Sequence, residues 1–219
     1  MKIFSSQKYV FLNALILAIF IFAVGLILGF WLESSRLEKI NNIYTEAELN
    51  LLDIRIIPEL IKNDISCTQA VQANIDFGDK IYNDAKILQN YEDAERISDN
   101  IKVQHYKYDL MRELFLINSI KIKEQCSAPF HTIVYFYQYE SPSIETKAKQ
   151  QVFSNILSEL KEKQGSNIML IPIAGDIPFS SIKILTSNYN ITQLPAILID
   201  ERTIITQIET VEQIEAVLK

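Results

Sequence analysis

The residue types that most often carry chemistry are sparse in this chain. Its 219 residues include two cysteines and two histidines. His105 and His131 belong to no C-x-x-C or H-x-x-x-H motif and have no carboxylate partner at ligand spacing, which predicts solvated or capping side chains and no metal site. No glycine-rich phosphate-binding motif occurs. We therefore expect no metal, nucleotide or other cofactor.

The two cysteines, Cys67 and Cys126, bracket a long segment of helix formers. Between them there is no proline and one glycine, which predicts two helices with a bend near residues 98–100. Arms of similar length would bring the cysteines together, and a disulfide there would contribute about 2–4 kcal/mol. Two unpaired core thiols are the alternative. The inner face of the hairpin would carry apolar side chains from both arms: Phe77, Ile81, Leu88, Ile101, Tyr108, Met111, Phe115 and Ile122.

Residues 9 to 32 form an uncharged apolar stretch between Lys8 and Glu33. About 20 apolar residues are enough to cross the hydrocarbon of a bilayer. Tyr9 and Trp31 lie where the headgroup regions would begin. Because the stretch is longer than the apolar region of a signal peptide and lacks a small-x-small cleavage site before the polar flank, it predicts an uncleaved membrane anchor.

The charges that flank this stretch bear on orientation. Lys2, Lys8 and the amino terminus lie on one side, and Arg36 and Lys39 on the other. The positive-inside rule then favours a single-pass protein of the cell membrane with a cytoplasmic N-terminus and an extracytoplasmic bulk. An even number of cysteines agrees with export. A net charge of −6 gives no basic patch, so we expect no nucleic-acid partner.

After the anchor, residues 33–63 keep a helical period and predict an amphipathic stalk helix. Apolar residues recur at steps that are mostly three or four between residues 37 and 61: Leu37, Ile40, Tyr44, Ala47, Leu51, Ile54 and Ile61. This stripe could pair two chains as a parallel coiled-coil homodimer, or it could pack on the following helices. Pro58 interrupts the pattern near its end, which favours packing within the chain.

From residue 130 the pattern changes from helices alone to alternating strands and helices. The predicted elements are strand 132–138, a helix from Ser141-Pro142 to Gln164 that is capped by Gly165, strand 168–174, a helix over about 179–189, a strand opened by Pro195, strand 203–208 and helix 211–218. The order β-α-β-α-β-β-α predicts an α/β domain with a mixed four-stranded sheet. Four regions follow: tail and anchor (1–32), stalk (33–63), helical hairpin (64–129) and α/β domain (130–219).

The α/β domain resembles the thioredoxin fold in its smallest form, over about 40% of the chain. Two segments carry the resemblance: Val134-Tyr135-Phe136-Tyr137 before the first helix, and residues 190–198, NITQLPAIL, which look like the family's cis-proline segment. The layout of anchor, hairpin and domain is also similar to that of membrane-anchored thioredoxin-like proteins of archaea. The resemblance implies a cis peptide bond before Pro195.

The chain departs from the family at the redox motif. Where the family has Trp-Cys-Gly-Pro-Cys, residues 139–143 read Tyr-Glu-Ser-Pro-Ser, so Glu140 and Ser143 stand at the two cysteine positions. Thiol–disulfide exchange needs a thiolate to attack sulfur and a second thiol to resolve the mixed disulfide, and neither residue can do this. We therefore expect no oxidoreductase activity and no catalytic residue at this site.

The resemblance also implies a surface for extended peptides. In the family, the residue before the cis-proline pairs its backbone with a bound peptide, a role that falls here to Leu194. Tyr139, Glu140, Leu194 and Pro195 would line the surface. Beside them, Asn190-Ile191-Thr192 matches the acceptor pattern for glycosylation at Asn190.

Three functions follow from these patterns. The first is a membrane-tethered, redox-inactive module that binds an unknown protein or peptide or acts as a scaffold on the extracytoplasmic face. The second is a thiol–disulfide handling protein that uses Cys67 and Cys126. The third is a purely structural dimer built through the stripe between residues 37 and 61.

Overall fold

The computed structural model describes residues 7–61, 66–94, 99–140 and 142–218. Their backbone forms these elements: α1 (Gln7–Ile61), α2 (Cys67–Ala94), α3 (Asp99–Cys126), β1 (His131–Tyr137), α4 (Ile144–Gln164), a short 3-10 turn (Gly165–Asn167), β2 (Ile168–Ala174), α5 (Ser180–Asn188), β3 (Ala196–Ile199), β4 (Thr203–Ile205) and α6 (Val211–Val217). The chain divides into two units, an anchor unit (Met1–Thr45) and a folded unit (Glu46–Lys219).

The anchor unit contains the apolar part of α1. Among the described residues, α1 alone is long and apolar enough to cross a membrane. The side chains from Tyr9 to Leu32 are exposed, as expected for a surface that faces lipid. At 1.5 Å per residue, these 24 residues extend over about 36 Å, more than the hydrocarbon thickness of about 30 Å. The predicted anchor and stalk are parts of this one uninterrupted helix.

In the folded unit, the last turns of α1 pack against the hairpin. Ala47, Leu51 and Ile54 of the predicted stripe are buried. The Asn118 side-chain amide on α3 donates a hydrogen bond of 2.9 Å to the carbonyl of Ile54. This part of the stripe therefore packs within the chain, which is the alternative that the sequence favoured.

Helices α2 and α3 form the predicted hairpin. Its inner-face side chains are buried: Phe77, Ile81, Leu88, Tyr108, Met111, Phe115 and Ile122. The Sγ atoms of Cys67 and Cys126 are at disulfide-bonding distance, with Cα atoms 5.3 Å apart, as predicted. Of the predicted bend, residues 99 and 100 already belong to α3, whereas Ser98 and the side chain of Ile101 lie outside the described residues.

The hairpin packs closely on the sheet at Gly78 of α2. A Cβ atom there would lie 2.7 Å from Met169 Sδ of β2 and 3.2 Å from Phe115 Cζ of α3. A larger side chain would require one of these to move, so glycine sets the close approach between helix and strand.

The four strands form one mixed sheet in the order β2-β1-β3-β4. Strands β1 and β2 are parallel, with His131 opposite Ile168, and β3 is antiparallel to both β1 and β4. The side of the sheet toward α4 and α6 carries a continuous core that includes Ile133, Tyr135, Phe153, Leu157, Leu160, Ile197, Ile199 and Ile214. The mixed four-stranded sheet was predicted, but β4 ends at Ile205 and not at Ile208.

Candidate functional site

Three loops meet where β1 ends. Residues 138–140 follow β1, residues 175–179 follow β2, and residues 194–195 precede β3. We call the surface that they form the candidate site. Asp176 joins the first two loops, because its Oδ1 and Oδ2 atoms accept hydrogen bonds of 2.8 Å from the backbone N–H groups of Tyr139 and Glu140.

Leu194 joins the third loop to the second. A Cβ atom on Gly175 would lie 2.9 Å from Leu194 Cδ2, so the leucine side chain packs directly on the glycine. The Leu194–Pro195 peptide bond is cis, as the resemblance implied. Leu194 is half-buried and Pro195 is buried. No hydrogen bond joins the backbone N–H or C=O of Leu194 to another residue in the described parts of the chain.

Helix α4 begins later than predicted. Its N-cap is Ser143, whose Oγ accepts a hydrogen bond of 3.0 Å from the backbone N–H of Thr146. The prediction that Pro142 occupies the first helical position is therefore wrong. Ser143 has the extended backbone and the side-chain acceptor that an N-cap requires, and Ser141 lies outside the described residues.

Helix α3 reaches over the loop that follows β1. Lys102 Nζ lies 2.7 Å from Glu140 Oε1, and the Tyr106 hydroxyl donates a hydrogen bond to the same oxygen. These two hydrogen bonds lower the pKa of Glu140, so the carboxylate is ionised at neutral pH. The sequence did not predict that α3 would approach Glu140.

Aromatic rings surround this contact. The ring of Tyr139 stacks on the imidazole of His105, with centroids 3.7 Å apart and planes 11° apart. Tyr106 makes edge contacts with Tyr139 and Phe179, at centroid distances of 6.0 Å and 5.6 Å. The outer face of Tyr139 is therefore partly covered by the chain's own helix.

Beneath the rings lies a buried polar cluster that sequence reasoning missed. Asp109 accepts from Arg112 Nη1 at 3.0 Å, and His105 Nε2 lies 3.0 Å from the second carboxylate oxygen. The Tyr137 hydroxyl lies 2.9 Å from His105 Nε2. The prediction of a solvated or capping His105 is wrong, because Asp109 at i+4 supplies the partner.

Burial and neighbouring charges shift the pKa values of Asp109 and Arg112 in opposite directions. Burial alone would raise the pKa of Asp109, but the hydrogen bond and charge of His105 and the charge of Arg112 outweigh it, so the pKa lies below the ordinary value of 3.8. Burial would lower the pKa of Arg112, but Asp109 raises it. The pair is therefore ionised, and the Tyr137 hydroxyl joins it to the end of β1 by donating a hydrogen bond of 3.3 Å to Asp109 Oδ2.

The opposite end of β1 carries a second charged group. Asp200 Oδ2 lies 2.6 Å from His131 Nδ1, and Lys123 pairs with the other oxygen. Burial would raise the pKa of Asp200, but its bonds to Lys123 and His131 lower it. The prediction of a solvated or capping His131 did not include this pairing, because Asp200 lies 69 positions away in the sequence and not at ligand spacing.

The remaining predicted residues lie elsewhere. Cys126 ends α3 before β1 begins, so the cysteine pair lies at the opposite end of β1 from the candidate site. Asn190 is exposed and has a φ of 52°, next to the loop of Leu194. Within the described ranges, no group of three or more His, Cys, Asp or Glu side chains could hold a metal ion.

The loops of the candidate site bring together the Glu140 carboxylate, the rings of Tyr139 and Phe179, and the backbone of Leu194, which has no hydrogen-bond partner among the described residues. Comparison of the chain with models of protein families, with curated proteins and with solved structures found no match.

Proposed function

We propose that this chain is a single-pass membrane protein whose extracytoplasmic, redox-inactive thioredoxin-like domain binds an extended segment of another protein. The apolar part of α1 would hold the domain at the cell membrane, with the N-terminus in the cytoplasm. The weakly asymmetric flanking charges and the paired cysteines support this orientation.

The sheet supports the resemblance to thioredoxins. A helix connects the parallel strands β1 and β2. On the other side of β1 the sheet continues with β3, which is antiparallel to β1, and then with β4, which is antiparallel to β3. The loops that carry the redox motif and the proline in that family correspond here to residues 139–143 and 194–195, and both contribute to the candidate site.

The residues at the two cysteine positions have other roles, which supports the absence of redox chemistry. Ser143 caps α4 through its hydroxyl, and Glu140 pairs with Lys102. The two cysteines of the chain are paired with each other at the far end of β1. The thiol-handling alternative therefore has no thiol near the candidate site, and the dimer alternative loses the part of its stripe that packs on the hairpin.

The observation that carries the proposal is the backbone of Leu194. Its N–H and C=O have no hydrogen-bond partner among the described residues, and it lies beside the start of β3. An extended peptide could pair with this backbone as an added strand, and side-chain contacts at the candidate site would add specificity.

Backbone pairing can be tested with peptides alone. Fluorescently labelled nonapeptides of alternating threonine and valine, varied at one position at a time, would be titrated into the full chain in detergent micelles and followed by anisotropy. Peptides that bind would be made again with alternate backbone nitrogens methylated, which keeps the side chains and removes donors. We expect methylation on one edge to abolish binding. Equal binding of every methylated peptide, or no binding by any peptide, would contradict the proposal.

A further inference from the structure

A cation of the chain itself already occupies the candidate site. The Lys102 ammonium lies 2.7 Å and 3.0 Å from the two carboxylate oxygens of Glu140. It also lies 5.4 Å from the centroid of the Tyr106 ring, within the range of a cation–π contact. The Glu140 carboxylate and the Tyr106 ring together form a small binding site for a positive charge.

The Glu140 carboxylate and the Tyr106 ring are held in position by contacts that do not involve Lys102. Asp176 binds the backbone N–H groups of Tyr139 and Glu140, and the Tyr106 hydroxyl binds the Glu140 carboxylate. Asp176 therefore fixes the backbone that carries Glu140, and Tyr106 fixes the Glu140 carboxylate. This one carboxylate keeps its position and its charge when Lys102 moves away.

The lysine is easier to displace than the helix that bears it. Helix α3 is held to β1 by the contacts of the Tyr137 hydroxyl with His105 and Asp109, but the Lys102 side chain is 44% exposed and that of Glu140 is 36% exposed. An ion pair this exposed to water is weak, and a lysine side chain can rotate away on its flexible stem.

We propose that Glu140 and the Tyr106 ring form a subsite for a lysine or arginine side chain of the bound segment, and that Lys102 occupies this subsite when no segment is bound. The inference rests on the proposed peptide-binding function and names the residue class that the site selects. The bound cation replaces the Lys102 ammonium on Glu140, and the Lys102 side chain moves into solvent.

The test uses pairs of nonapeptides that differ at one position, which holds either lysine or norleucine, scanned along the peptide. Norleucine keeps the apolar stem and lacks the charge. The full chain in detergent micelles is compared as wild type, Lys102→Met and Glu140→Gln. Lys107→Met is the matched control, because Lys107 lies on the same helix, is also 44% exposed and pairs with Glu48 away from the site.

The peptide whose lysine reaches Glu140 should bind to Lys102→Met roughly fivefold more tightly than to the wild type, because the competing cation is gone. The same change should leave the norleucine peptide unaffected. Glu140→Gln should remove the preference for lysine over norleucine, and Lys107→Met should behave as wild type. Far-UV circular dichroism and thermal melting would verify that each variant is folded.

Two results would overturn the subsite and leave peptide binding intact. One is an equal gain for lysine and norleucine peptides in Lys102→Met, which would make Lys102 a steric cover. The other is a preference for lysine that persists in Glu140→Gln. If no peptide binds the wild type or any variant, the proposed function and the subsite both fail.

Discussion

At the scale of single residues, Asp109 contributes most to the geometry of the candidate site. It is fully buried, and it accepts hydrogen bonds from Arg112 and from groups at the end of β1. A buried charge is tolerated when it is paired, and the loss of one partner leaves the other uncompensated. The position of α3 over Tyr139 therefore depends on a residue that does not itself contact the surface.

Replacing Asp109 with asparagine should lower the free energy of unfolding by about 3–5 kcal/mol, because the Arg112 charge stays buried without its counterion. Urea unfolding of the full chain in micelles at pH 7, followed by far-UV circular dichroism, would measure this. Glu124→Gln, at an exposed position of the same helix, should change the value by less than about 0.5 kcal/mol. Equal effects of the two changes would contradict the role of Asp109.

The effect of Asp109→Asn on the free energy of unfolding should also depend on pH. Because the pKa of Asp109 is lower in the folded chain than its ordinary value of 3.8, its contribution is present above that pH and is lost as the pH falls through the folded pKa. The difference in unfolding free energy between wild type and Asp109→Asn should therefore shrink as the pH is lowered from 7 to about 2. A difference that grew toward acid pH would contradict this sign.

The sequence contained a signal for this cluster that was not used. His105, Asp109 and Arg112 follow one another at steps of four and three on a helix whose buried face includes Tyr108 and Met111. The histidines were tested against metal-ligand spacings, but i,i+4 pairing within a helix is the relevant pattern. The His131–Asp200 pair had no local signal, because the sheet brings the two together.

At the scale of elements, strands and helices were easier to predict than their ends. Buried strands are continuous apolar runs, as in β2, and the Thr210–Gln213 capping box fixed the start of α6. The predicted start of α4 was wrong because Ser141 and Ser143 both suit an N-cap in the sequence, and the structure has Ser143 as the residue that accepts the capping hydrogen bond, from the backbone N–H of Thr146.

The helical hairpin gives a prediction that also bears on orientation. In protein denatured directly from native membranes, Cys67 and Cys126 should react with an alkylating reagent only after reduction, because the structure pairs them and the proposed extracytoplasmic location would keep the pair oxidised. Intact-mass spectrometry with and without prior reduction would count the thiols. If both react without reduction, the pairing is absent in the cell and the extracytoplasmic orientation loses this support.

At the scale of the whole molecule, the long apolar helix and the α/β layout were predictable from the sequence, but the contacts of α3 that cover the candidate site were not. The contact of Lys102 and Tyr106 with Glu140 requires the hairpin to dock on the sheet with one particular offset along α3. No local pattern encodes that offset, because it results from packing such as that of Gly78 on Met169.

In the proposed function, an extended segment of another protein pairs with the backbone of Leu194. The sheet offers a competing place, since β4 (Thr203–Ile205) is an edge strand. An added strand could pair with the free edge of β4 or with the backbone of Leu194, which precedes the inner strand β3.

Hydrogen exchange at single-residue resolution shows most directly whether a peptide pairs with the backbone of Leu194 or with β4. The full chain in micelles would be measured with and without a saturating nonapeptide that binds, and with the methylated form that does not bind. We predict that the binding peptide slows exchange of the Leu194 amide and leaves the amides of β4 unchanged. Slower exchange in β4, with none at Leu194, would contradict the claim.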